Sequence, residues 1–187
     1  PILIAYTFFN ELLGFLVQSS NQFALLTKFS SSNAIVYNIY SIVFFPYFYF
    51  VYWQLIQNNR YKRFIKYAFG AVIGFFIINS LFKNPLVNAL YLPIAFASFV
   101  LIVCIILYQL DKKNGWQLKS EKINLVSWIS LGLFCFYLVF PIIFLVNYFN
   151  LYFWVKFNLS LLQKGLIVLM YLFFCVGFII SKRRAFR

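Results

Sequence analysis

INLVSWISLGLFCFYLVFPIIFLVN, residues 123–147, is the stretch that decides the fold. It contains no charged side chain. A helix rising about 1.5 Å per residue crosses a hydrocarbon core of about 30 Å in about 20 residues. Asn124, Ser127 and Ser130 gather toward one end and Asn147 closes the other, so the solvated stripe of a soluble surface helix is missing. The segment therefore reads as a transmembrane helix, with Pro141 expected to kink it.

Working outward, the same pattern recurs. Upstream lie apolar runs at residues 86–110, 64–82, 34–56 and 2–17, and downstream one at 161–180. Polar breaks fall between the runs, at Gln57-Asn58-Asn59-Arg60, at Lys83-Asn84-Pro85 and in the stretch from Asp111 to Lys122. Pro93 inside the 86–110 run predicts a kink near residues 88–92. Tyr152, Phe153 and Trp154 are residue types that anchor at the lipid–water boundary. The expected fold is all-α: a single polytopic transmembrane bundle with six visible spans. The chain starts at Pro1 within an apolar run and its only methionine is Met170, so a preceding segment is expected, either a signal peptide or a further helix that would make seven.

Composition agrees. Of the 187 residues, 64% are hydrophobic and 10% charged, and the mean hydropathy is +0.87. Soluble domains are about 45–50% apolar and about 25% charged, and a chain of this size has too little interior to hide the excess. The net charge of +13 does not indicate nucleic acid, because the cations sit between apolar runs. Arg60, Lys62, Arg63 and Lys66 lie on one side, with Lys112, Lys113, Lys119 and Lys122, and with Lys182, Arg183, Arg184 and Arg187. The other side holds Lys28, Lys83, Lys156 and Lys164. Basic short loops stay in the cytoplasm, which predicts a cytoplasmic C-terminus and a basic inner face suited to membrane lipids or an acidic protein surface.

Few residues offer chemistry. Histidine is absent, and Cys104, Cys135 and Cys175 are widely spaced in apolar runs. That removes histidine-ligated haem and histidine-dependent hydrolysis for these residues, and no cofactor or metal is expected. Glu11 lies within the first apolar run, where a carboxylate must be protonated, paired or set against a polar cavity. Counting depth along each helix puts Tyr37, Asn38 and Ser41 near its level. Asn79, Ser80, Asn88 and Tyr91 fall in the same outer half, with Asn147 and Lys164 near the outer helix ends. The expectation is a polar cluster open to the outside, with Glu11 at its base and Lys164 as counter-charge; a ligand site and a set of interhelical hydrogen bonds would both look like this. Gly70 and Gly74 form a GxxxG pattern, read as internal helix packing in preference to a dimer face. The aromatic content, 24%, would fit a ligand cage, but a genome rich in A and T is the preferred reading.

Three stretches taken in order, Phe9-Asn10-Glu11-Leu12-Leu13-Gly14-Phe15, Tyr37-Asn38-Ile39-Tyr40, and Ser127-Trp128-Ile129-Ser130-Leu131-Gly132 continuing to Phe140-Pro141, carry a likeness. They resemble a group of multi-pass, about seven-helix inner-membrane proteins of Bacteroidota-type bacteria to which no function is attached. The resemblance implies a bacterial inner membrane and one further helix upstream. That group tends to carry an acid in the second run where this chain has Phe44 and Phe45. The leading expectation is a non-enzymatic membrane component, an accessory subunit of a membrane protein complex or a small sensor. A small transporter or channel using the Glu11 cluster comes second, and a lipid-modifying enzyme third.

Overall fold

Apolar runs without a helix breaker form helices because each backbone N–H and C=O must find its partner within the segment once water is excluded. A computed structural model describes Tyr6, Thr7, Phe9, Leu12 and residues 34–86, 88–113 and 125–180. Among these the fold is all-helical: α1 (Ala34–Leu55), α2 (Asn59–Phe82), α3 (Tyr91–Lys113), α4 (Leu125–Phe149), the short α5 (Leu151–Lys156) and α6 (Leu159–Ile180). All but α5 are long and apolar enough to cross a membrane. Of the first expected span, only Tyr6, Thr7, Phe9 and Leu12 are described, in helical conformation; Glu11 lies outside the described residues.

Three boundaries differ from expectation. α2 begins at Asn59 rather than near Phe64, because Asn58 caps it: the Asn58 side chain accepts from the Arg60 N–H at 2.9 Å. α3 begins at Tyr91 instead of Leu86, which places Pro93 in its first turn. A first-turn N–H has no intrahelical acceptor in any case, so Pro93 starts the helix and no mid-helix break arises there. The aromatic stretch after α4 forms the short helix α5, capped by Asn150, whose side chain accepts from the Phe153 N–H at 3.0 Å. Asn158, at φ 46°, then turns the chain into α6. By contrast α4 runs through Pro141 and α1 through Pro46 without ending.

The helices pack around α3 and α4. α4 lies most extensively against α6 and then α3, while α1 and α2 lean on α3 from its other side. The interior is a hydrophobic core with a few polar side chains, and the surface is apolar as well. Asn38, Ser41, Ser98, Asp111 and Ser130 are buried, whereas Leu81, Phe82 and Ile179 are each at least 80% exposed. Water would penalise such a surface; lipid does not. Two buried tyrosine hydroxyls are satisfied between helices: Tyr49 donates to the Ala97 carbonyl at 2.7 Å, and Tyr52 pairs with Ser130 at 2.9 Å. These are the features of an integral membrane protein.

Close helix approach occurs at Gly132 and Gly177, not at the GxxxG pair. A methyl group at Gly177 would lie 2.7 Å from the Trp128 Cβ, and one at Gly132 would lie 3.0 Å from the Met170 carbonyl oxygen. At Gly70 and Gly74 it would meet nothing within 4 Å, so the internal packing expected there does not occur among the described residues. Gly177→Ala should therefore force α4 and α6 apart and destabilise by about 1–3 kcal/mol. Gly70→Ala should be neutral or stabilise by about 0.5–1 kcal/mol, through helix propensity. Unfolding of the two variants in mixed micelles, followed by circular dichroism, separates these outcomes.

Candidate functional site

The turn between α2 and α3, residues 83–90, is held by its own hydrogen bonds and by a side chain from α1. Asn84 begins it by accepting the Leu86 N–H at 3.0 Å, and the Asn88 N–H returns to the Asn84 carbonyl at 3.0 Å. The decisive side chain comes from α1. Asn38 is buried, donates from Nδ2 to the carbonyls of Pro85 (2.6 Å) and Asn88 (2.9 Å), and accepts from the Leu90 N–H at 3.1 Å through Oδ1. One amide thereby satisfies three backbone groups of the turn and the entry to α3. Of the two expectations for the polar cluster, Asn38 follows the interhelical hydrogen bond: it is a clamp.

Held in this way, the turn forms one wall of a cleft of about 440 Å³ at the end of the bundle. Its polar lining comes from Lys83, Asn88, Asn147 and Gln163, and its aromatic lining from Tyr37, Tyr91, Phe144, Tyr148 and Trp154. Lys83 donates to the Tyr148 hydroxyl at 2.8 Å and stands 4.4 Å from the centroid of that ring. Tyr91 lies between Phe144, at 4.6 Å, and Tyr148, at 5.6 Å, so α3 and α4 share one aromatic wall.

Tyr37, Phe144 and Gln163 also line a second, smaller space of about 50 Å³ deeper in the bundle. The hydroxyl-bearing residues Thr7, Tyr40, Ser41, Tyr137 and Tyr171 border it, with Met170 and Phe140. That volume holds a few waters or a small polar head. Tyr6 stacks on Tyr40 at 5.8 Å and the Thr7 hydroxyl lies 3.4 Å from the Tyr40 hydroxyl, which brings the N-terminal segment to this chamber. Phe136 and Tyr137, which line it, meet each other edge-on, and Phe44 packs against Tyr137 and Phe48 in tilted ring contacts, with centroids 4.8–5.6 Å apart.

The expected cluster is thus brought together in part. Tyr37 and Ser41 border the chamber; Asn88, Tyr91 and Asn147 line the cleft. Asn79 and Ser80 lie on α2 and line neither space, and the Ser80 hydroxyl returns to the Phe76 carbonyl at 2.8 Å. Lys164 is exposed and also lines neither; the neighbouring Gln163 takes the inward position, and the cation at the cleft is Lys83.

Asp111, which reads in the sequence as part of a polar loop, is buried at the end of α3. Its carboxylate accepts the backbone N–H groups of Gln57 at 2.8 Å and Asn58 at 3.3 Å. Among the described residues no three potential metal ligands of the His, Cys, Asp and Glu types come together. Compared with known protein families, curated proteins and solved structures, the chain matches none.

Proposed function

We propose that this chain is a non-enzymatic membrane component, an accessory subunit or small sensor, which receives a small amphipathic molecule in the cleft lined by Lys83 and Gln163. The observation that supports this reading is the shape of the path. A wide vestibule with polar groups and aromatic walls shares Tyr37, Phe144 and Gln163 with a small, mainly apolar chamber bordered by hydroxyl-bearing residues, against which Phe44 packs through Tyr137. Clefts with apolar walls and a few convergent polar groups suit ligands with one polar end. A conduit would need polar groups onward through the other half of the bundle, and there the hydroxyls of Tyr49 and Tyr52 are engaged by Ala97 and Ser130. The resemblance and the distribution of lysine and arginine support a bacterial inner membrane, with the α1–α2 turn and the C-terminus in the cytoplasm and the cleft outside.

Cysteine accessibility in sealed vesicles tests the reading, with Cys104, Cys135 and Cys175 first replaced by alanine. Asn88→Cys should react fastest with an impermeant maleimide, Ser41→Cys more slowly and from the same side only, and Ser130→Cys from neither side. Labelling of Ser41→Cys from both sides would move the weight to a transporter or channel built around Glu11. Native mass spectrometry of the full-length protein then divides the two remaining roles. A stoichiometric protein partner marks a subunit, and a retained small molecule on a lone chain marks a sensor.

A further inference from the structure

The faces of α1 and α2 at the opposite end of the bundle leave a groove of about 510 Å³. Pro46, Tyr49, Phe50 and Trp53 line it from α1, and Ile65, Lys66 and Phe69 from α2. The volume lies within the range of about 300–1,000 Å³ typical of small-molecule sites, yet the lining is almost wholly apolar. Its walls are built features: Phe50 stacks on Trp53 at 6.3 Å, and Tyr49 meets Phe69 edge-on at 6.3 Å.

The chemistry at its mouth is one-sided. Lys66 borders the groove directly, and the Lys62 ammonium stands 5.5 Å from the Trp53 ring centroid. Arg60 and Arg63 are exposed on the same first turns of α2, and the first turn contains no acidic residue. The sole aspartate or glutamate among the described residues is Asp111, which lies at this end but is buried, with its oxygens turned to the Gln57 and Asn58 N–H groups. Neutralising charge for Lys62 and Lys66 must then come from outside these residues. An apolar trough about two helical turns long, ending under two ammonium groups and a tryptophan, is complementary to a molecule with acyl chains and an anionic head.

We propose that the α1–α2 groove is a binding site for an anionic phospholipid, with one acyl chain along Phe50, Trp53 and Phe69 and the phosphate between Lys62 and Lys66. This site is separate from the cleft, and it stands whether or not the cleft reading does. The preference arises from the two lysines, which attract a net negative headgroup at a weakly screened lipid–water boundary; phosphatidylcholine carries the same phosphate, but its choline cation cancels that charge. The aromatic wall supplies affinity for the chain without regard to the headgroup.

The test is native mass spectrometry of delipidated full-length protein titrated with phosphatidylglycerol or phosphatidylcholine of identical acyl chains. The parent should bind phosphatidylglycerol at least about fivefold more tightly, by about 1 kcal/mol for that ratio. Lys62→Gln with Lys66→Gln should bring the ratio to near one, and Lys62→Arg with Lys66→Arg should retain it. Lys156→Gln, on α5, should leave it unchanged. Phe50→Ala with Phe69→Ala should weaken both lipids while preserving their ratio. Retention of the ratio in Lys62→Arg with Lys66→Arg and in Phe50→Ala with Phe69→Ala separates loss of the lysine charge from a general loss of folding. An absent preference in the parent, one that survives Lys62→Gln with Lys66→Gln, or one lost equally in Lys156→Gln would overturn the proposal.

Discussion

Asn38→Leu should lower the stability of the folded bundle by about 2–4 kcal/mol. Leucine matches asparagine in size but returns nothing to the three backbone groups that the amide serves. Two of them, the carbonyls of Pro85 and Asn88, lie in the turn and can recover water. The third cannot: Leu90 is 1% exposed, and its N–H has Asn38 Oδ1 as acceptor. An orphaned buried N–H costs about 1–3 kcal/mol, and the freed turn adds to it. Asn38→Asp should be nearly as harmful, because a carboxylate can serve Leu90 but would face the two carbonyls it cannot donate to. Asn79→Leu and Lys164→Gln, which touch neither space, should stay within about 0.5 kcal/mol. Reversible unfolding in mixed micelles gives the order, and a parent-like midpoint for Asn38→Leu would show that the turn holds itself. Faster maleimide labelling of Asn88→Cys in the Asn38→Leu background would add that the clamp shapes the cleft.

The long spans are legible in the sequence because an uncharged apolar run of about 20 residues is suited to one solvent, the hydrocarbon core of a bilayer. Their ends are less so. Pro93 breaks a helix or begins one depending on where the first turn falls, and the Asn38 clamp, from another helix, decides that. α5 is six residues long, too short for any periodicity to declare it.

The cleft and chamber are partly legible through depth alone, which places Tyr37, Ser41, Asn88, Tyr91 and Asn147 in one outer half but says nothing of direction. Lys164 and Gln163 differ by one residue, about 100° around a helix, and charge singles out the outward one. A usable signal is present in the spacing: Gln163, Ile167, Met170 and Tyr171 recur on one helical face, and all four line the chamber. Lys83 reads in the sequence only as a cation on one side, since nothing local shows that Tyr148, on α4, reaches it.

Asp111 is hidden by its neighbours. Followed by Lys112 and Lys113, it reads as the start of a solvated loop. Yet Ala97, Leu101, Cys104, Tyr108 and Asp111 are spaced four, three, four and three apart and are all at most 1% exposed, so the carboxylate continues the buried stripe of α3. Asp111→Leu should therefore cost about 1.5–3 kcal/mol, the worth of hydrogen bonds to a charged acceptor, since Gln57 and Asn58 are not themselves buried. The opposing expectation is that removing a buried charge relieves desolvation and is neutral, as when apolar residues replace a whole ion pair. That argument requires both partners to be replaced, and here the partners are the main-chain N–H groups of Gln57 and Asn58, which no substitution of Asp111 removes. Asp111→Asn keeps one acceptor oxygen and should lose about half as much. The variants are compared by unfolding midpoint in the same micelles. If leucine proves as stable as the parent, the α1–α2 turn reaches water once the carboxylate is gone; if stability rises from leucine through asparagine to the parent, Asp111 is the tie that sets where α1 ends and α2 begins.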